Sequence, residues 1–162
     1  MYTIFTQEFG KIFCQKKFSK REKALDIWYM IQVEIETKED KKVHKMRNIK
    51  ILSDFAPQNR DFWVLNSYLE MLAMILRLSP DGLQIYQVLE IVETIHDYEN
   101  ITEEKILLAK LKLSQIYWNL WLDHKNQTLQ RILWFIHKNN FSEIVRLSGL
   151  NEDIKKDLEE LL

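Results

Sequence analysis

Cysteine is almost missing from this sequence. Cys14 stands alone among 162 residues, so neither a disulfide framework nor a thiolate zinc site can be built within one chain. Proline and glycine are scarce too, at two and three. That leaves too few turn formers for a many-stranded sandwich or a long linker, and no glycine-rich loop to cradle a phosphate. No uncharged apolar run approaches the roughly 18 residues that span a bilayer. The opening residues Met1 to Glu8 carry no positive stretch followed by an apolar one, so no secretory signal is expected and the chain reads as cytoplasmic. The sequons at Asn100 and Asn126 then read as chance matches. Nucleophile elbows and dinucleotide fingerprints are also missing.

What is abundant is core material. Hydrophobic residues make up 46% of the chain and aromatics 12%, with five tryptophans. The net charge of −1 conceals an asymmetry: residues 1–56 hold twelve Lys/Arg against eight Asp/Glu, and residues 57–162 hold eleven against sixteen. A basic end on an acidic body points to an anionic partner at that end.

The periodicity changes at the same place. Tyr2 to Thr6 is β-branched and aromatic, Gln7 to Gly10 reads as a turn, and Lys11 to Lys17 continues as a strand with Ile12 and Cys14 on one face and Phe13 on the other. From Ile27, alternation places Tyr29, Ile31, Val33 and Ile35 together, opposite Gln32, Glu34 and Glu36. A polar reversal at Lys38–Lys42 leads to a return strand, Val43 to Leu52, with Val43, Ile49 and Ile51 on one face. Beyond Pro57 the spacing is helical. Phe62, Leu65, Leu69, Leu72 and Leu76 form one stripe, stopped at Ser79-Pro80-Asp81-Gly82. Further helices are expected at Leu83–His96, after the N-cap Thr102, at Gln127–Lys138, at Ser142–Leu147, and from the N-cap Asn151 to Leu162. The expected fold is α+β: a small antiparallel β segment over 1–56, then an all-helical domain over 57–162.

Two features of the β segment bear on function. Basic residues crowd the second strand and the loop after it (Lys11, Lys16, Lys17, Lys20, Arg21, Lys23) and the second hairpin (Lys41, Lys42, Lys45, Arg47, Lys50). Aromatics are interleaved at Phe9, Phe13, Phe18, Trp28 and Tyr29. Small OB-type barrels bind oligonucleotides through such a combination of positive groove and stacking platforms. Lysine-rich strands are equally a device against edge-to-edge pairing, and Phe13 and Trp28 could simply face the helices.

The run Tyr2-Thr3-Ile4-Phe5-Thr6-Gln7-Glu8-Phe9-Gly10-Lys11-Ile12 resembles the N-terminal domain of RecO, the bacterial recombination mediator. The likeness extends through the basic loop at Lys16–Lys23 and the strand pair to Ile51. It continues in the order of parts, with a helical region from Phe62 to about Trp121 and two short terminal helices. The resemblance implies an OB-like barrel, binding of single-stranded DNA, strand annealing, and recombinase loading with RecR and single-strand-binding protein as partners. The basic residues expected to contact DNA are Lys11, Lys16, Lys17, Lys20, Arg21, Lys23, Lys45 and Arg47. Two departures from the family stand out. The first barrel strand has no counterpart ahead of Tyr2, so an incomplete barrel with an open edge is expected, one that a second copy or a partner strand could fill. The four-cysteine zinc site of some members has no counterpart either.

Residues suited to chemistry are sparse. None of His44, His96, His124 and His137 lies four residues from another, so surface or satisfied histidines are expected rather than metal ligands. Cys14 reads as a small buried hydrophobe, although Lys16 and Lys17 could activate a thiolate. Glu103-Glu104 and Glu159-Glu160 read as helix-end acids. The chain is therefore expected to be a non-enzyme with no cofactor. Trp118, Trp121 and Trp134 suit core packing. The functional alternative is a groove for a partner's acidic tail, with Lys110, Lys112 or Lys125 meeting its carboxylates, in a reduced adapter that has lost DNA binding.

Overall fold

The computed structural model describes residues 1–20, 22–37, 41–55, 60–82, 86–118 and 126–162. Strands β1 (Tyr2–Thr6), β2 (Gly10–Gln15), β3 (Tyr29–Glu36) and β4 (Val43–Asp54) precede helices α1 (Phe62–Leu78), α2 (Tyr86–Asp97), α3 (Glu103–Trp118), α4 (Gln127–Lys138), α5 (Phe141–Ile144) and α6 (Glu152–Glu159). The α+β order expected from the sequence is thus present. The boundary expected at 56/57 and residues 38–40 of the reversal expected at Lys38–Lys42 fall outside the described residues.

The first hairpin closes on Thr6 and Gly10. Thr6 Oγ1 accepts from Phe9 N at 2.9 Å and Gly10 takes a φ of 64°, a conformation open to glycine at little steric cost. The sheet runs β1-β2-β4-β3 and is open. Both hairpins are antiparallel, as expected, but they are joined by a parallel seam of three pairs, Phe13–Val43, Cys14–His44 and Gln15–Lys45. The sheet is therefore mixed rather than antiparallel throughout. It does not close into a barrel.

Alternation in β4 breaks at Asn48. Between Gln32–Lys50 and Glu34–Arg47, β4 advances three residues against two in β3. Asn48 sits at φ 49°, and its Nδ2 donates to Glu34 Oε2 at 2.6 Å. Asparagine is among the few residues that tolerate this left-handed region, and the resulting bulge brings Met46 and Ile49 to the same side. A small core follows: Ile12, Cys14 and Met46 are buried beneath Tyr2, Ile4, Leu25, Val33, Ile35 and Ile49. Residues from both outer strands converge on it, so the sheet curls around its own contents. Cys14 is the buried hydrophobe expected, and burial pushes its thiol pKa up. Ile51, expected on the same face as Ile49, is exposed.

The main core lies among the helices. α3 is buried along Ile106, Leu107, Leu108, Ala109, Leu111 and Leu113 and touches each of the other helices. It is a central helix with no solvent stripe. α1 buries Val64, Tyr68, Met71, Met74 and Ile75, a stripe displaced from the leucine set anticipated. Phe62 and Leu76 are exposed instead, with Leu65 and Leu72 only partly covered. The capping residues Thr102 and Asn151 act as expected, accepting from Lys105 N at 3.4 Å and Ile154 N at 2.8 Å.

Sheet and helices meet at two places along α1. Near its C-terminus, Lys11 Nζ pairs with Asp81 at 2.9 Å and donates to the Leu76 carbonyl at 3.4 Å, while Gly82 N donates to Lys11 O at 3.1 Å. Near its N-terminal half, Phe55 stacks on Tyr68 with ring centroids 4.1 Å apart, and Trp28 stacks on both. His96 completes this second junction. Its Nδ1 lies 2.6 Å from Ser53 Oγ and its Nε2 2.8 Å from the Tyr68 hydroxyl. Burial pulls the His96 pKa below its ordinary value; Arg60 adds to the effect, while Asp97 and Asp54 oppose it. Because the unfolded chain binds this proton more readily, the stabilisation is complete above the ordinary imidazole pKa of about 6.5 and is lost as pH falls toward the lowered folded value. Calorimetry should therefore show a thermal midpoint that falls on acidification below about pH 6.5. His96→Gln should flatten that slope while lowering the midpoint at pH 7.5. A slope unchanged by the substitution would remove His96 from the account.

Candidate nucleic-acid interface

The cations expected to contact DNA divide into two groups. Along β4, Lys45, Arg47 and Lys50 stand opposite Glu36, Glu34 and Gln32 of β3, on the face turned away from the small core. Lys45 and Arg47, two apart on the strand, are separated by roughly 6.6 Å, and the bulge at Asn48 returns Lys50 to the same face, so the three form a row. Opposite charges across a strand pair offset one another, and Arg47 is spoken for, with Nη2 2.6 Å from Glu36 Oε2. The other flank of β4 differs. The neighbour of Lys45 there is Gln15, and β2 ends at that residue. The basic loop after β2 therefore leaves the sheet next to the row.

Within that loop Lys16 is also committed. Its Nζ lies 2.8 Å from Glu22 Oε1 and 5.0 Å from the Phe18 ring centroid, and its side chain is only 15% exposed. That bond, with a second from Ser19 N, holds the Glu22 carboxyl down at about 2. Lys23 lies over the Tyr29 ring at 4.5 Å, and its hydrogen bond with Tyr29 raises its pKa. Lys11 is spent on the junction with α1. Arg21 lies outside the described residues. Of the eight suggested cations, then, Lys17, Lys20 and Lys45 are exposed and carry no ion pair or hydrogen bond among the described residues; the same holds for Lys50 on the β4 row.

The expected aromatic platforms are mostly occupied. Phe18 packs edge-on against Tyr2, Tyr29 lies beneath Lys23, and Trp28 belongs to the helical core. Phe9, at the tip of the first hairpin, is exposed. An exposed pair lies at the start of α1, where Phe62, expected on the apolar stripe, and Trp63 meet edge-to-face at 5.3 Å. Only the run of two large aromatics directly after the N-cap Asp61 could have hinted at it.

Trp118 and Trp134 are not core residues. Trp118 is 44% exposed and Trp134 57% exposed, while Trp121 lies outside the described residues. The α4 stripe uses Leu129, Leu133 and Ile136, which turns Trp134 outward, where Lys138 lies over its ring at 5.6 Å. Of the lysines considered for meeting acidic tails, Lys110 is paired with Glu70 at 2.6 Å. Lys112 is buried and donates to the carbonyls of Ile136, His137 and Asn139. Lys125 is outside the described residues.

Glu103, Glu104 and Glu159 meet across a groove between α1, α3 and α6, about 590 Å³ in volume, together with Glu70, Glu152 and three lysines. Glu104 is answered by Lys155 at 3.3 Å. Among the described residues no cluster of three or more His, Cys, Asp or Glu is placed to hold a metal ion, and no helix is long and apolar enough to cross a membrane. No protein-family model, curated protein or solved structure matches this chain.

Proposed function

We propose that the chain binds single-stranded DNA through the β2–β3 loop and the β4 row, as a RecO-like recombination mediator that anneals strands and assists recombinase loading. One observation supports the reading: Lys17 and Lys20 in the loop after β2 and Lys45 and Lys50 on β4 are exposed and have no ion-pair partner among the described residues, and Lys45 lies beside Gln15, where β2 stops. Exposed ammonium groups displace counterions from a phosphodiester chain, and that release drives sequence-independent binding. The family assignment rests on the Tyr2–Ile12 run and the order of parts. RecR and single-strand-binding protein as partners, and a cytoplasmic setting, follow from it alone.

Anisotropy of a labelled oligonucleotide tests the reading. Four contacts to a single strand give a log–log salt slope of about −2.8, so affinity should fall roughly fifty-fold between about 50 and 200 mM salt. No detectable binding at the lower salt would remove DNA from the proposal. The exposure of Trp118 and Trp134 favours a second reading, a helical surface that docks a partner peptide. Under that reading an acidic peptide saturates the protein in the same assay while oligonucleotides do not bind.

A further inference from the structure

The sheet ends in two unequal edges. β3 carries charges of the kind that oppose strand addition, the acidic residues Glu34 and Glu36. β1 has no such protection. Tyr2-Thr3-Ile4-Phe5-Thr6 contains no charge, no proline and no bulge, and among the described residues it pairs only with β2. No backbone hydrogen bond from elsewhere in the described chain reaches its outer side. Every second residue of β1 thus presents a donor and an acceptor that only water or another strand can satisfy.

We infer that β1 pairs antiparallel with β1 of a second copy, about a two-fold axis through Ile4. The strand is self-complementary in that register. Ile4 falls opposite Ile4 of the other copy, Tyr2 opposite Thr6, and Thr3 opposite Phe5, with no like charges facing each other. Tyr2 and Ile4 already cover the small core of their own sheet. Pairing joins the two small cores into one apolar layer beneath a continuous eight-stranded sheet. This association is independent of the DNA reading, because the free lysines lie on β4 and the β2–β3 loop rather than on β1.

A five-residue strand pair buries less than the ~1,200 Å² of a standard interface, so dimerisation is expected only at about 10–100 μM. Sedimentation equilibrium of the full chain should show the mean mass rising toward twice the chain mass over that range. Thr3→Lys changes an exposed side chain and places a charge on the edge, the same device that β3 uses. It should hold the mass at one chain while leaving the circular dichroism spectrum unchanged. Independently of any variant, exchange of the Tyr2–Thr6 amides in the parent chain should slow at least tenfold on going from dilute to concentrated protein. A mass of one chain at every concentration overturns the inference. So does a doubling that Thr3→Lys leaves intact, or β1 amides whose exchange ignores concentration.

Discussion

Replacing Lys112 by methionine is expected to destabilise the fold by about 3 kcal/mol and to lower the thermal midpoint by roughly 6–12 °C. A helix leaves its last four carbonyls without partners inside the helix. In α4 the Phe135 carbonyl is served by Asn139, through both its backbone N–H and its Nδ2. The next carbonyls are served by Lys112 from α3, which donates to Ile136 O at 2.9 Å, His137 O at 3.1 Å and Asn139 O at 2.9 Å. A positive charge at a helix C-terminus also answers the partial negative charge of the macrodipole. Methionine keeps the apolar stem and removes all three donors, so carbonyls at a buried helix end are left unsatisfied. Lys110→Met, one half-turn away, removes only the pair with a half-exposed Glu70 and should cost less than about 1 kcal/mol. Calorimetry of the two variants side by side checks the argument; equal midpoints would refute it.

The second large effect concerns binding. Reversing Lys17, Lys45 and Lys50 together to glutamate is expected to lower oligonucleotide affinity about a thousandfold at low salt and to reduce the salt slope by about two. The informative control is Lys11→Met. Lys11 is as basic in sequence as the others, but its ammonium is engaged by Asp81 and the Leu76 carbonyl at the end of α1. The control should leave affinity within about twofold while lowering the thermal midpoint. If Lys11→Met weakened binding as much as the triple reversal, the division between free and committed cations would fail.

That division marks the limit of what sequence could supply. The strands and helices were legible because their periods are clear over many residues, as in Tyr2–Thr6 and Gln127–Lys138. The caps at Thr102 and Asn151 were legible because capping is local. The phase within elements was not. One asparagine in a left-handed turn brings Met46 and Ile49 to the same face, and the leucines of α1 give way to Tyr68, Met71 and Ile75. The fate of a lysine was least legible of all. Lys11, Lys16 and Lys112 look like surface charges, yet each is held by groups brought in from elsewhere in the fold or across a turn. The same holds for the Ser53–His96–Tyr68 junction, whose members are 43 and 28 residues apart in sequence.

The parallel seam between β2 and β4 bears on the order of assembly. Each hairpin closes over a short loop, an event of about 1–10 μs. The seam must bring residues thirty positions apart into register, Phe13 against Val43, and only three pairs reward the search. Chain entropy is therefore surrendered before much contact energy returns. The first hairpin should be the last piece of the sheet to settle, and the first to come adrift when the protein is warmed.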